Sequence, residues 1–254
     1  MQLILVPAPL DFGCEAHAPI TAVLPLATIQ TASRVTHWIA ENAKSCRSVI
    51  KRIGEVQALA LPLQQHIITE LPREVHKKGD HGGSFDAKPF LQAALQKARA
   101  DGAQEIGLIS EAGMPAVADP GSSIVRAAHA LGITVQPLVG PSSLLLALAA
   151  SGQNGQNFAF VGYLPIDAAE RNQRIRALEA IAKKTGQTQL FIEVPHRNAA
   201  LWQALLSNLQ PSTYLSAASG LSLPAVQIHS ATVADWKHRV MPNATLPCVM
   251  AIGV

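Results

Sequence analysis

The stretch from Glu105 to Val135 constrains the fold more than any other part of the chain. Glu105-Ile106-Gly107-Leu108-Ile109-Ser110 is an apolar run of strand length, and a turn bearing Gly and Pro follows over residues 111–121. Residues 122–131 carry a helical pattern closed by Gly132 as the residue after the cap, and Ile133-Thr134-Val135 is a second strand. Strand, turn, helix, glycine and strand make one βαβ unit, which brings its strands side by side in parallel with a right-handed crossover. With 48% hydrophobic residues and only 4% aromatic ones, the chain has an aliphatic core suited to layered α/β packing and is too apolar to be disordered.

The opening run Leu3-Ile4-Leu5-Val6, stopped by Pro7 and Pro9, reads as a buried parallel strand ending in a loop. Loops at the carboxyl ends of such strands are where open α/β sheets bind ligands. Residues 28–52 read as one helix, with Lys44, Arg47 and Lys51 on a solvated basic face. Residues 70–89 are polar, aperiodic and glycine-bearing, which predicts a long loop whose Arg73, His76, Lys77 and Lys78 either meet phosphates or form a solvated flap. His76, Asp80 and His81 match no metal-ligand spacing, so no metal is expected. Further helices are predicted over residues 90–100, 142–150, 168–184 and 198–208, a strand over 189–192, and three strands around Tyr214, Val226 and Val249. Strands crowd the end with fewer helices between them, which predicts a mixed sheet. The chain therefore reads as two α/β domains, residues 1–138 with a parallel sheet and 139–254 with a mixed one.

Cys14, Cys46 and Cys248 are odd in number and widely spaced, which argues against a disulfide framework or zinc site. The start lacks a basic segment and a cleavage site, and its apolar run is too short for a membrane span, so a cytoplasmic protein is expected. A formal charge of +3 permits an anionic partner without demanding one.

The most informative stretch is Leu108-Ile109-Ser110-Glu111-Ala112-Gly113-Met114-Pro115-Ala116-Val117-Ala118-Asp119-Pro120-Gly121. By spacing alone it is a strand end with small residues that admit a ligand to the backbone, followed by free amides at a helix N-terminus. A mere tight turn is the alternative. Together with Gly140-Pro141-Ser142-Ser143, Gly162-Tyr163-Leu164-Pro165 and Glu193-Val194-Pro195-His196-Arg197, it resembles the ordered motif set of the ribosomal RNA small-subunit methyltransferase I family, in the tetrapyrrole-methylase superfamily. The resemblance implies a two-domain tetrapyrrole-methylase-like fold with a cofactor cleft between the domains. It also implies S-adenosylmethionine as methyl donor, a homodimer, and ribosomal RNA or the small ribosomal subunit as partner.

Carried over by motif, the implied cofactor contacts are Pro9, Ala112, Gly113, Met114, Val117, Ser142, Ser143 and Glu193, with His196 and Arg197 as substrate contacts. A salt bridge from Glu193 to Arg197 or His196 is the structural alternative for that carboxylate. Several positions depart from the family. Its first loop, of Thr-Pro-Ile-Gly-Asn-Leu type, here reads Ala8-Pro9-Leu10-Asp11-Phe12-Gly13, and its acidic Glu-Asp-Thr-Arg type segment reads Glu41-Asn42-Ala43-Lys44. The sequence identifies no catalytic residue, and Glu41 and Asn42 are the candidates in this segment. A charged motif near the end is replaced by Ala218-Ser219-Gly220-Leu221-Ser222, and the family's small C-terminal extension is not expected. Methyl transfer to a ribose 2′-oxygen is the expected activity. Methylation of a small molecule such as a tetrapyrrole, or a silent cofactor- or RNA-binding relative, are the alternatives. A dinucleotide-binding dehydrogenase is disfavoured because no G-x-G-x-x-G follows the first strand.

Overall fold

The computed structural model describes residues 1–11, 14, 16–72, 74–75, 80 and 85–254. They fall into two compact units, Met1–Pro141 and Ser142–Val254, against an expected division after residue 138.

The first unit holds strands β1 (Gln2–Leu5), β2 (His37–Ala40), β3 (Ile67–Glu70), β4 (Glu105–Ile109) and β5 (Thr134–Pro137). They form one all-parallel sheet in the order β3-β2-β4-β1-β5. The predicted βαβ unit is β4, the helix α4 (Ser122–Ala130; α1 to α3 are placed below) and β5, with β1 lying between its two strands. The single helix expected over 28–52 is instead α1 (Leu26–Ala32), β2 and α2 (Ala43–Gly54). Val35-Thr36-His37-Trp38-Ile39 concentrates β-branched and aromatic types that favour strand. Trp38 packs into the core on one sheet face and Ile39 into the core on the other, so β2 has no polar alternation to betray it. The Asn42 side chain then accepts from the amides of Lys44 and Ser45 at 2.8 and 3.2 Å and starts α2. Lys44, Arg47 and Lys51 lie on its exposed face, as expected.

Two apolar layers sandwich this sheet. Ile29, Val49, Ile50 and Ile53 cover one face beneath Ile4 and Trp38. Leu91 and Leu95 of α3 (Ala87–Ala100) and Ile124 of α4 cover the other beneath Leu3, Ile39 and Leu108. Gly107 is required where β4 passes Trp38, because a Cβ there would lie 2.6 Å from Trp38 Cε3. The Trp38 indole donates to His66 Nδ1 at 3.1 Å, which leaves His66 Nε2 to donate to the Leu61 carbonyl at 3.2 Å. Burial lowers the pKa of His66, consistent with this neutral tautomer.

The second unit holds β6 (Phe158–Tyr163), β7 (Thr188–Glu193), β8 (Tyr214–Ser219), β9 (Gln227–Thr232) and β10 (Cys248–Gly253) in the order β6-β7-β10-β8-β9. Only β6 and β7 run parallel, so the sheet is mixed, as the sequence predicts. β6 escapes the sequence reading because its pairing slips between Phe160 and Tyr163 around Gly162, whose φ is +73°. Helices α5 (Ser143–Ser151), α6 (Ala168–Thr185), α7 (Pro195–Asn208) and α8 (Val233–Trp236) complete it. Ile175, Leu178, Leu201 and Trp202 close over Phe191, Leu215 and Met250. The helix expected from residue 198 begins three residues earlier. Pro195 occupies its first position, where a missing N–H costs nothing, so Pro195-His196-Arg197 is a first helical turn. Cys46 and Cys248 are buried free thiols, pushed up to about 12 and about 11 by burial, and are inert.

Candidate functional site

The carboxyl edge of the first sheet gathers the chain leaving β1, β2 and β4. Ala8 and Gly113 exchange backbone hydrogen bonds, Ala8 N to Gly113 O at 2.9 Å and Gly113 N to Ala8 O at 3.0 Å. That bridge fixes the loop carrying Pro9 against the turn carrying Ala112, Gly113 and Met114. Gly113 sits at φ +69°, and a Cβ there would lie 3.2 Å from Leu10 Cδ2, so the close approach of the two segments needs a glycine. Ala112 is buried, Met114 half-buried and Val117 45% exposed. Ala116 and Ala118 hold left-handed conformations at φ +65° and +66°. The first loop is clamped from α2 by Arg52, which donates to Asp11 Oδ2 at 2.6 Å and to the Ala18 carbonyl at 3.1 Å. Phe12 and Gly13 lie outside the described residues.

The amides at the start of α4 are not free, contrary to the sequence reading. The buried carboxylate of Asp80 accepts from the Gly121 and Ser123 amides, each at 2.8 Å, and from the Ser122 and Ser123 hydroxyls, each at 2.7 Å. Arg126 donates to the Asp80 carbonyl at 2.7 Å. Burial alone would raise the pKa of Asp80, but the bonds from Ser122, Ser123 and Gly121 outweigh it and hold the carboxyl below its ordinary value. Asp80 stands some forty residues upstream in an aperiodic stretch, so no local pattern announces this role. Arg73, His76, Lys77, Lys78 and His81 of the same stretch lie outside the described residues.

Three carboxyl groups meet beyond the strand ends. Glu41 follows β2, and its Oε2 accepts from the Glu111 amide at 3.2 Å. Burial, then the charges of Glu41 and Glu111, push Asp119 up to about 7. Asp119 is the functional candidate that motif reading passed over. Its signal was present, since it lies within the same Gly113–Gly121 turn next to Pro120. Asn42, the other candidate from the sequence, spends its side-chain oxygen on capping α2. Ser110 is buried, and its hydroxyl has no hydrogen-bond partner among the described residues.

In the second unit, Ser142 is the N-cap residue of α5 and makes no side-chain capping bond, and Ser143 is the first residue of that helix. Glu193 ends β7 with its carboxylate buried. Glu193 Oε1 accepts from Arg197 Nη2 at 2.5 Å, from Arg197 Nε at 2.8 Å and from the Val194 amide at 2.8 Å. The salt bridge weighed as an alternative for this residue is therefore formed. The Arg197 guanidinium lies 5.8 Å from the Tyr163 ring centre. His196 is exposed on the first turn of α7.

Residues 26–237 match the family model described as Tetrapyrrole (Corrin/Porphyrin) Methylases. The chain is 36% identical over 141 residues to the ribosomal RNA small subunit methyltransferase I of Pseudomonas aeruginosa, covering 54% of this chain and 45% of that protein. It is 42% identical over 124 residues to the protein of the same name from Mesorhizobium japonicum, covering 49% of this chain and 39% of that one. Each match spans less than half the relative's own length. Among solved structures, the backbone resembles the uroporphyrin III C-methyl transferase of Thermus thermophilus over 100% of this chain and 97% of that one, with a TM-score of 0.56 at 16% identity. That likeness is one of fold. A family match running through most of both units, on a parallel sheet followed by a mixed one, identifies the chain as a member of the tetrapyrrole (corrin/porphyrin) methylase family.

Proposed function

We propose that the chain is an S-adenosylmethionine-dependent methyltransferase that acts on ribosomal RNA at a ribose 2′-oxygen. The observation that carries this reading is the Ala8–Gly113 bridge, which holds a family motif of small, buried residues against the first loop, in the same segment as the Ser110 hydroxyl that has no hydrogen-bond partner among the described residues. Small apolar walls with a few placed polar atoms suit an adenosyl group. Pro9, Ala112, Gly113, Met114 and Val117 would hold it in the first unit, and Ser142, Ser143 and Glu193 are the candidates in the second. The names of the Pseudomonas and Mesorhizobium relatives support RNA as the acceptor.

Bound S-adenosylmethionine would supply an electrophilic methyl group with a thioether as its leaving group. The chain's own residues have to orient the acceptor oxygen and receive its proton. Asp119 suits the second task because a carboxyl near 7 is half-ionised at neutral pH. His196 and Arg197 are the candidate substrate contacts. A homodimer and a cytoplasmic setting complete the reading, and a monomeric mass in light scattering would remove the first of these.

Calorimetric titration with S-adenosylhomocysteine is the direct test, beside a Gly113→Arg variant whose side chain would press on Leu10 and disturb the Ala8–Gly113 bridge. Binding by the wild type and none by the variant is the expected result, and no binding by the wild type would overturn the reading. Mapping ribose methylation in RNA from a strain lacking the gene then distinguishes an RNA acceptor from a small tetrapyrrole.

A further inference from the structure

The positive charge of this chain is unevenly placed. Of its 20 Lys and Arg and 17 Asp and Glu, the second unit holds eight of the former and five of the latter, so the whole excess of +3 belongs to residues 142–254 and the first unit is neutral. Two of the five acids are also withdrawn from the surface. Glu193 is buried on Arg197, and Glu179 is buried on the Gln210 amide and the Thr213 hydroxyl, with Lys183 3.5 Å away. Most of the cations are concentrated on α6. Arg174, Arg176, Lys183 and Lys184 are all exposed there, while its surface acid, Glu170, stands in the first turn. Arg174 to Lys184 spans about 15 Å of helix at the usual rise per residue, long enough to follow several phosphates of an extended strand.

An aromatic ring stands just before this helix in the chain. Tyr163 ends β6 and is 53% exposed, with the Arg197 guanidinium near its ring. The two bonds from Arg197 to buried Glu193 hold that guanidinium in place, so the ring is positioned before any ligand arrives and little ordering entropy remains to be lost. Arg171, in the first turn of α6, donates to the Ile166 carbonyl at 3.1 Å and ties the helix to the segment that leaves Tyr163. Arg174 and Lys184 stand within about a quarter turn of each other around α6, whereas Arg176 and Lys183 turn to its other flank and donate to Asn208 and Gln210, so Arg174, Lys184 and an exposed aromatic ring offer what unpaired nucleotides require, a face for a base and charges for the backbone. Basic residues at a helix C-terminus also serve the helix dipole, but that explains neither Arg174 nor the exposed ring.

We infer that Tyr163 and the exposed face of α6 form a docking surface for single-stranded RNA, with a base stacked on Tyr163 and phosphates along Arg174 to Lys184. The inference rests on the RNA methyltransferase reading for the identity of the polymer, and it adds the place and the strandedness.

The test is fluorescence anisotropy of the full chain with a labelled single-stranded RNA and with a duplex of the same sequence, across a salt series. The Arg174→Glu/Lys184→Glu variant is expected to lose about tenfold or more in affinity and to show a shallower salt dependence. Tyr163→Ala is expected to lose roughly tenfold for the single strand and little for the duplex, while Tyr163→Phe keeps wild-type binding. Unchanged affinity in the charge-reversal variant, or an equal loss by Tyr163→Ala on heparin, a polyanion without bases, would overturn the surface. Calorimetry with S-adenosylhomocysteine on the same wild-type and charge-reversal preparations separates the two readings. Cofactor binding with unaltered RNA affinity in the variants sinks only the surface, and absent cofactor binding in the wild type sinks the methyltransferase reading.

Discussion

Asp80 and Ser123 are joined twice, the Asp80 Oδ2 accepting from both the amide of Ser123 at 2.8 Å and its hydroxyl at 2.7 Å. Through this pair a residue from the long segment before α3 fixes the far end of the Gly113–Gly121 turn, as Ala8 fixes the near end. Removing the carboxylate strands buried donors, so Asp80→Ala should cost about 2–3 kcal/mol in urea unfolding at neutral pH. The pKa of Asp80 is lowered on folding, so its contribution is present above the ordinary value of 3.8 and lost as pH falls through the folded-state value. The stability gap between wild type and variant should therefore close in strong acid. A gap that persists there would mean that the charge is not what stabilises the turn.

Asp119 works in the opposite direction. Its pKa rises from 3.8 to about 7 on folding, so the unfolded chain gives up this proton first and the group erodes stability as pH climbs between those values. Asp119→Asn removes that penalty and should raise Tm measured at pH 8 while changing little near pH 4. If Asp119 takes the acceptor's proton, methyl transfer falls by 10²-fold or more in the same variant. A variant that is neither stabilised nor impaired would remove Asp119 from the site.

Gly107→Ala should be costly for a reason confined to one ring. The added Cβ would meet Trp38 Cε3 at 2.6 Å and Cζ3 at 2.8 Å, and the indole is buried and tethered to His66. Overpacking of this kind costs about 1–3 kcal/mol, to be read from denaturant midpoints. Replacing Trp38 by Leu in the same chain should recover part of the loss.

Arg197→Ala leaves the buried carboxylate of Glu193 without its cation, at a cost of roughly 3 kcal/mol. Adding Glu193→Gln removes the stranded charge and should restore part of the stability in thermal unfolding. Additive losses in the double variant would show that the pair is not coupled.

The architecture was legible wherever one face of an element is wet or a glycine punctuates it. The βαβ unit ending at β5 follows from such signals, with Gly132 closing its helix, whereas β10, buried throughout, is legible from its apolar run alone. β2 reads as helix from sequence because both its faces are buried, which erases the alternation that marks a strand. β6 is not legible because its register slips around Gly162. The site divides in the same way. Gly113 and its neighbours lie in one contiguous motif and were legible by position. Asp80 acts across forty residues of chain, and Asp119 gains its character from Glu41 and Glu111, which only the folded sheet brings near it. A local pattern carries neither kind of information.

The left-handed conformations of Ala116 and Ala118 each cost about 1–2 kcal/mol relative to ordinary backbone, so this turn does not hold its shape by its own preference. It is held by Ala8 and Asp80, and both precede it in the chain. On a chain emerging amino end first, the two holdfasts are made before the segment they shape. The turn thus closes onto a frame already under construction, and a circular permutant beginning at residue 85 would have to make it with Ala8 and Asp80 still unsynthesised.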